Sequence, residues 1–507
     1  MNYDSIHRVT GADKLKHPLA IILILGIAVL CGYAAAKGGI VVAGIIGALP
    51  IGIWFMSKII QKPFIGLMLA LYMGFLLSGF ARYIQGIPFG LSVDFGLALA
   101  WIGILFKDWK YTDFTPLKND LSTIMLLWYG YIVFEIVNPE SCGPAAWFYA
   151  MRGDGFYWIL FITAIFMICR NPKYVDTFVN TILFFSVLGS LWGLRQLIFG
   201  VDDAEWRWLY VEGHEDQHVL FGKLRVFSYY SDAGQFGASQ AQVASMCFIM
   251  ALGPYSRKRK IIYLICGILT FIGFGISGTR GALAVPAVAG LLYLFLSKNF
   301  KILIIGLIMG GTAFYILKYT KAFQSIEQVA RMRTGLSGED ASFLERLKNQ
   351  RTFGRHLANK PIGGGVGSAG FWGEKFCPHT LMGHTPTDSW YVKIWAETGI
   401  VGICFHLFFI GYVIGKGGLI IWNLKDGKLM YKILGLYAGT GGIFLASYGN
   451  QVVGQPPSSL IMPIALALTF MAPMYDKMIL QKQLKEKKAK GEPLSLEEEY
   501  LLQEPLK

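Results

Sequence analysis

Charge is scarce in this sequence. Asp, Glu, Lys and Arg make up 15% of its 507 residues, against roughly 25% in soluble globular proteins. That shortfall excludes an ordinary water-facing domain. Acidic residues are scarcer than basic ones, 32 against 46, for a net charge of +14. A basic balance is one signature of nucleic-acid binding, but no basic soluble module is present to carry it, and nucleic acid is excluded as a partner. None of the seven cysteines (31, 142, 169, 247, 266, 377 and 404) forms a CxxC pair, which argues against a cysteine-built zinc site. The glycine run Gly363-Gly364-Gly365-Val366-Gly367 is not followed by Gly-Lys-Ser/Thr, so it is no Walker loop. No repeat recurs at a fixed period.

What the chain has is apolar length. Hydrophobic residues make up 54% of it and its mean hydropathy is +0.48. An apolar run of about 20 residues spans the roughly 30 Å hydrocarbon core as a helix. Such runs are predicted at 19–36, 40–57, 64–82, 91–106, 120–137, 155–169, 174–199, 235–254, 260–276, 281–297, 300–318, 389–414, 429–447 and 458–475. The expected fold is an all-α polytopic membrane bundle of about 14 (12–14) transmembrane helices. Its expected parts are a cytoplasmic N-terminus (1–18), a bundle of about eleven spans (19–318), a large, partly helical external loop (319–388), three last spans (389–475) and a cytoplasmic tail (476–507). The tail reads as a solvated helix or disorder.

Orientation follows from the distribution of Lys and Arg, which collect in cytoplasmic loops. With the N-terminus inside, Lys58/Lys62, Lys107/Lys110/Lys118, Arg170/Lys173, Arg257-Lys258-Arg259-Lys260, Lys298/Lys301 and Lys416/Lys425/Lys428 all fall on the cytoplasmic side. Loops 83–90 and 449–457, which carry neither residue, fall outside. Both termini are then cytoplasmic and the 319–388 loop is external. Lys37 and Arg82, at external span edges, are exceptions. Cys142 and Cys377 both fall in external loops, where pairing in an oxidising compartment is open to them.

The external face collects cations. Arg225 lies in Leu224-Arg225-Val226-Phe227-Ser228-Tyr229-Tyr230-Ser231-Asp232, Arg280 in Ser277-Gly278-Thr279-Arg280-Gly281, and Arg346, Arg351 and Arg355 in a predicted helix of the large loop. Arg351 and Arg355, four residues apart, share a helix face and suit lipid contact at the interface. Arg280 opens an apolar helix, where an arginine is costly unless paired or functional. Guanidinium forks match phosphate oxygens bidentately and keep their charge, so Arg280 reads as part of a phosphate clamp, against the plain alternative of snorkelling to headgroups. Gly363, Gly364 and Gly365 lack side chains that would keep backbone amides from an anion, although such a run is equally a simple turn. His384, beside Thr385, Thr387 and Asp388, is a candidate general base. His214-Glu215-Asp216-Gln217-His218 has the letters of the HExxH zinc-protease pattern. It sits in an acidic loop without an apolar helix face or a third ligand at recognisable spacing, so no metal and no cofactor is expected.

The order of these features resembles the O-antigen ligase and polysaccharide polymerase superfamily of bacterial inner-membrane proteins. The resemblance rests on Arg225 in an Arg-x-x-Ser-x-x-x-Asp segment and on Ser277-Gly278-Thr279-Arg280-Gly281-Ala282 opening a span. It continues through Glu345-Arg346, Pro361-Ile362-Gly363-Gly364-Gly365-Val366-Gly367-Ser368, His384, Ser389-Trp390 and Trp395-Ala396-Glu397-Thr398-Gly399-Ile400-Val401-Gly402. It covers about 224–407. Two positions depart from the usual pattern: Thr385-Pro386-Thr387 stands where an Asn often follows the histidine, and Phe353 where a Trp often follows the loop arginine.

The resemblance implies a metal-independent, inverting glycosyltransferase in the inner membrane. Its donor would be a glycan on undecaprenyl pyrophosphate. Its acceptor would be lipid A core in a ligase, or another lipid-linked repeat unit in a polymerase. Arg280, Arg346 and Arg225 would bind the pyrophosphate, His384 would act as the base, and Gly363, Gly364, Gly365 and Asp388 would support them. The apolar spans would hold the polyprenyl tail among membrane lipids, and Trp372, Trp390 and Trp395 would stack on sugar. A transporter or flippase is the competing class. It would use ionisable groups inside spans, for which Glu135 and Arg195 are the nearest candidates. A non-catalytic scaffold is a third.

Overall fold

Almost every described residue of the computed structural model that lies in regular structure is helical. The description covers residues 18–86, 88–106, 112–220, 222–298, 300–320, 333 and 341–503. The polar N-terminal segment with Arg8, Lys14 and Lys16, the Lys107/Lys110 loop and most of 321–340 lie outside the described residues. The only strands among those described are Val219–Leu220 and Lys223–Leu224, paired antiparallel.

Eight described helices are long and apolar enough to cross a membrane: Pro63–Tyr83, Asp120–Val137, Pro144–Ile168, Lys173–Phe199, Arg257–Ile276, Trp390–Asn423, Gly427–Ala446 and Ser458–Ala489. Five further apolar helices, among them Gly90–Phe106 and Arg280–Leu296, are shorter. The chain is an integral membrane protein. The two first predicted spans lie in one helical stretch, Pro18–Gln61, broken at Gly39, whose φ of +66° only glycine adopts cheaply.

Ala233–Leu252 is the central helix. It is not among the eight because Gln235, Ser239, Gln240, Gln242 and Ser245 lower its apolarity. Those side chains are buried in protein rather than lipid. Gln240 donates to the Ser186 carbonyl at 3.0 Å, and its Oε1 accepts from Ser190 Oγ at 2.9 Å. Polar groups inside a bundle are tolerated when neighbouring helices supply such partners. Gly427–Ala446 packs along one side of the central helix, and a Cβ added to Gly439 would stand 3.0 Å from Gln242 Cγ.

The last span does not end where hydropathy does. Ser458–Ala489 runs on into the polar tail, and Leu496–Gln503 folds back on it. Lys487 pairs with Glu498 at 3.0 Å and Gln481 donates to the Leu501 carbonyl at 2.9 Å. The tail is therefore a packed helical hairpin.

Candidate functional site

Four separate segments that carry candidate residues end against one short loop, residues 447–455. The first is 225–232. Arg225 is half-buried, and its backbone N–H donates to the His218 carbonyl at 2.8 Å. The loop after it is shaped by Arg82, one of the two exceptions to the charge rule. Arg82 is only 3% exposed. Its Nη1 donates to the Ser228 carbonyl at 2.7 Å, and its Nη2 to Tyr230 and, at 3.4 Å, to Ser231. Its guanidinium lies between Trp208 and Phe227, 4.2 and 4.4 Å from their ring centroids. An arginine at that depth is held by carbonyls and aromatic faces rather than by headgroups. The loop closes on Asp232, which caps the central helix by accepting from Gln235 N–H at 2.9 Å. Ser231 Oγ reaches Gln455 Oε1 at 3.1 Å.

The second segment is the 277–281 turn. Thr279 Oγ1 donates to the Ala233 carbonyl at 2.7 Å, which sets Arg280 beside the start of the central helix. A Cβ on Gly281 would stand 4.0 Å from Gly449 Cα. Arg280 itself is half-buried and engaged within the protein.

The third is the Ala341–His356 helix. Phe353 and Leu357 are buried in a small core with Ala369, Met382, Val392 and Ala396, while Arg351 and Arg355 point outward and are exposed. Arg346 is half-buried. Its Nη1 comes within 3.9 Å of the Cβ position of Gly449, and its buried Nε has no hydrogen-bond partner among the described residues. No described carboxylate pairs with it, whereas Arg152, Arg195 and Arg259 each have one.

The fourth is 384–389. His384 ends the Leu381–His384 turn, capped by Thr380 Oγ1 accepting from Gly383 N–H at 3.0 Å, and is exposed. Asp388 is exposed, at φ +50°. Gln451 donates to Thr387 Oγ1, and Trp390 N–H donates to the Ser447 carbonyl at 3.0 Å. Contacts with 447–455 thus gather the Asp232, Arg280, Arg346 and Thr387 regions. Arg225 belongs to this set through its loop, seven residues from Asp232.

The glycine knot has a different job from the one expected of it. Gly363 N–H donates to Lys360, Gly364 N–H to Ala396 and Gly365 N–H to Glu397, at 3.0, 2.9 and 2.9 Å. These amides are spent inside the protein, so Gly363, Gly364 and Gly365 do not cradle an anion. A Cβ on Gly363 would stand 2.6 Å from the Glu397 carbonyl and meet Gly399 N. Gly399 breaks the Trp390–Asn423 helix at φ +66°. The two glycine sites let backbone seat on backbone, which rivets the large loop to the head of that helix.

Beneath the rivet lies a buried charge triad that the sequence motifs did not reveal. Lys393 Nζ pairs with Asp154 at 2.7 Å and Glu397 at 2.8 Å, and all three side chains are under 8% exposed. Asp154 sits in a π-helical turn, Arg152–Phe156, inside the Pro144–Ile168 span. Cys142 and Cys377 form a disulfide with Cα atoms 5.9 Å apart, joining the segment before that span to the large loop. Beside the disulfide, Tyr149 stacks on Trp372 with centroids 4.8 Å apart, so Trp372 is engaged with protein. Trp390 is buried and donates to His406 Nε2 at 3.0 Å.

Other expected features have structural partners. His214 and His218 both pack on Trp208, at 4.6 and 4.8 Å, and burial pushes His218 below the usual imidazole pKa. No group of three or more His, Cys, Asp or Glu side chains is arranged for a metal among the described residues. Arg195 pairs with Glu205 at 2.7 Å, and Glu135 accepts from Asn138 at 2.8 Å. A cleft of about 700 Å³ lies near the Asn423 end of the Trp390–Asn423 helix, lined by Lys416, Leu419, Lys425 and Leu480, and holds none of the site residues.

Loop 447–455 was missed because it has no cation and no motif. Its absence of Lys and Arg served only to place it outside. No curated protein matches the chain. Residues 265–407 match the family model described as O-antigen ligase, a stretch that contains Arg280, Arg346 and His384. That stretch, a little over a quarter of the 507 residues, is similar to the O-antigen ligase family and supports the resemblance to the O-antigen ligase and polysaccharide polymerase superfamily.

Proposed function

We propose that the protein transfers a glycan from undecaprenyl pyrophosphate to lipid A core on the periplasmic side of the inner membrane, as an O-antigen ligase in surface polysaccharide synthesis. The observation that carries this is the approach of Arg346 and the Arg280 turn to the same glycine, Gly449, with Arg346 lacking any described acid partner. One guanidinium near Gly449, and a second arginine on the turn that approaches the same glycine, suit a pyrophosphate. The donor's polyprenyl chain lies along the apolar helices.

In the reaction the acceptor hydroxyl oxygen attacks the anomeric carbon as the bond from that carbon to the phosphate oxygen breaks. His384 takes the hydroxyl proton. Arg280 and Arg346, with Arg225, neutralise the charge that grows on the departing undecaprenyl pyrophosphate, which is worth a few kcal/mol per well-placed group in a dry site, or roughly 100- to 1,000-fold in rate. Attack from the face opposite the leaving group inverts the anomeric carbon. Asp388, four residues from His384, assists it. Arginine charge, rather than a metal ion, is the proposed electrostatic catalyst.

The accompanying topology is about fourteen spans, with the shorter apolar helices counted, both termini cytoplasmic and the 319–388 loop periplasmic. The Cys142–Cys377 bond supports that side for the loop, since such bonds persist in oxidising compartments. The test is a gel of lipopolysaccharide from a deletion strain complemented with Arg280→Ala, Arg346→Ala or His384→Ala. Loss of all glycan-capped core is expected. A core carrying a single repeat unit would reassign the protein as a polymerase, and unchanged surface glycan with all three variants would refute the reading.

A further inference from the structure

The 447–455 loop holds one side-chain amide without a hydrogen-bond partner among the described residues. Gln451 donates to Thr387, and Gln455 bonds Ser231 and, through its carbonyl, Gln235. Asn450 lies between them and Gly449. It is half-buried and makes no hydrogen bond to another described residue. Its position is nevertheless defined: a Cβ on Gly234 would stand 2.8 Å from Asn450 Nδ2 and 2.8 Å from Asp232 Oδ1. Amide and carboxylate both lie beside Gly234 at the head of the central helix, one residue away from the glycine that Arg346 and Gly281 approach. Asp232 is held by Gln235 N–H and Ser231 Oγ.

The chemistry of that pair is selective. A carboxamide offers N–H donors without charge, and a carboxylate only accepts. Together they match a group that accepts from one side and donates to the other, which is a hydroxyl. A phosphate is acceptor-only and anionic, so Asp232 would repel it and Arg346, near Gly449, would attract it. We propose that Asn450, with Asp232, binds a ring hydroxyl of the sugar adjacent to the pyrophosphate site, and so helps to set which glycan is transferred. This rests on the transfer reaction proposed above. Neither residue lies within the matched stretch 265–407.

The test uses full-length protein in liposomes, with lipid-linked glycan from the deletion strain as donor and that strain's lipid A core as acceptor. Asn450→Ala removes the amide. Gly234→Ala leaves Asn450 intact but places a methyl against its amide; Gly234 sits in ordinary helical backbone, so the helix itself tolerates the change. Both variants are expected to lower kcat/KM about 10- to 50-fold, the range for losing one hydrogen bond that a site is built to make. In Asn450→Ala the melting temperature and the Cys142–Cys377 bond should be unchanged, whereas Gly234→Ala also crowds the capping Asp232 Oδ1, 2.8 Å from the added methyl, and its melting temperature should fall slightly. A raised donor KM assigns the hydroxyl to the donor sugar, and a raised acceptor KM to the acceptor. Arg346→Ala runs alongside. If Asn450→Ala and Gly234→Ala stay within about 2-fold of wild type while Arg346→Ala is inactive, the inference is overturned and the transfer reaction stands. If Arg346→Ala is also fully active, both fall.

Discussion

Replacing Arg82 should loosen one loop rather than the whole bundle. Arg82 donates to the Ser228 carbonyl at 2.7 Å and to Tyr230 and Ser231, and is sandwiched between Trp208 and Phe227. Arg82→Met keeps an apolar stem for the rings but removes the arginine donors, leaving the Ser228 carbonyl with only Gln196 Nε2 at 3.2 Å. A hydrogen bond to a charged group contributes about 1.5–3 kcal/mol, so losing two close ones costs about 3–6 kcal/mol. Relief from burying the charge offsets part of this, which leaves about 3–5 kcal/mol. At 1.36 kcal/mol per tenfold, the loop then opens roughly 150- to 5,000-fold more often. Hydrogen exchange reads this directly, because the amides of Arg225, Ser228 and Tyr230 are hydrogen-bonded to His218, Gln196 and Phe227. Arg82→Lys should fall between, since an ammonium cannot span three carbonyls as a planar fork does. Peptides covering 225–232 should exchange faster in both variants, with the Ser458–Ala489 helix unchanged. Exchange of 225–232 within about threefold of wild type in Arg82→Met would refute the reasoning.

Two further outcomes follow from the same contacts. Lys393→Met strands Asp154 and Glu397 as buried carboxylates and should destabilise the protein by about 3–5 kcal/mol, whereas Asp154→Asn, Lys393→Met and Glu397→Gln together should recover most of that loss; thermal unfolding in detergent compares them, and a single variant as stable as wild type would contradict the triad. Cys142→Ser, which opens a cross-link between residues 235 apart in sequence, should lower stability by about 2–4 kcal/mol and free the buried Cys377, so maleimide labelling of the denatured protein should find one more thiol than in wild type, with no increase counting against the pairing.

The residues that sequence patterns identified and those they overlooked differ in kind. Arg280, Arg346 and His384 stand out because a cation or a histidine beside an apolar span is locally anomalous. Asn450 and Gln451 are ordinary loop residues until Asn450 is seen beside Gly234, next to Asp232, and Gln451 bonded to Thr387. Arg82 was visible as an anomaly, but its cause was not, because its partners are 146 to 149 residues away. In sequence the glycine knot stays open between an anion-binding run and a simple turn, because its other half, the break at Gly399, looks like any glycine inside an apolar run.

By itself the sequence determined the membrane class, where the long apolar helices lie and which segments are cationic, and it set an expected sidedness for the loops. Each of these depends on hydrophobic length or charge within a window of about twenty residues, and the bilayer acts on such windows independently. Only the tertiary structure decided that Cys142 meets Cys377, that Lys393 closes a triad with Asp154 and Glu397, and that four distant segments share loop 447–455. Those contacts arise where helices approach closely enough for backbone and side chains to interlock, and that approach is set by packing among all the helices together rather than by any one stretch of chain.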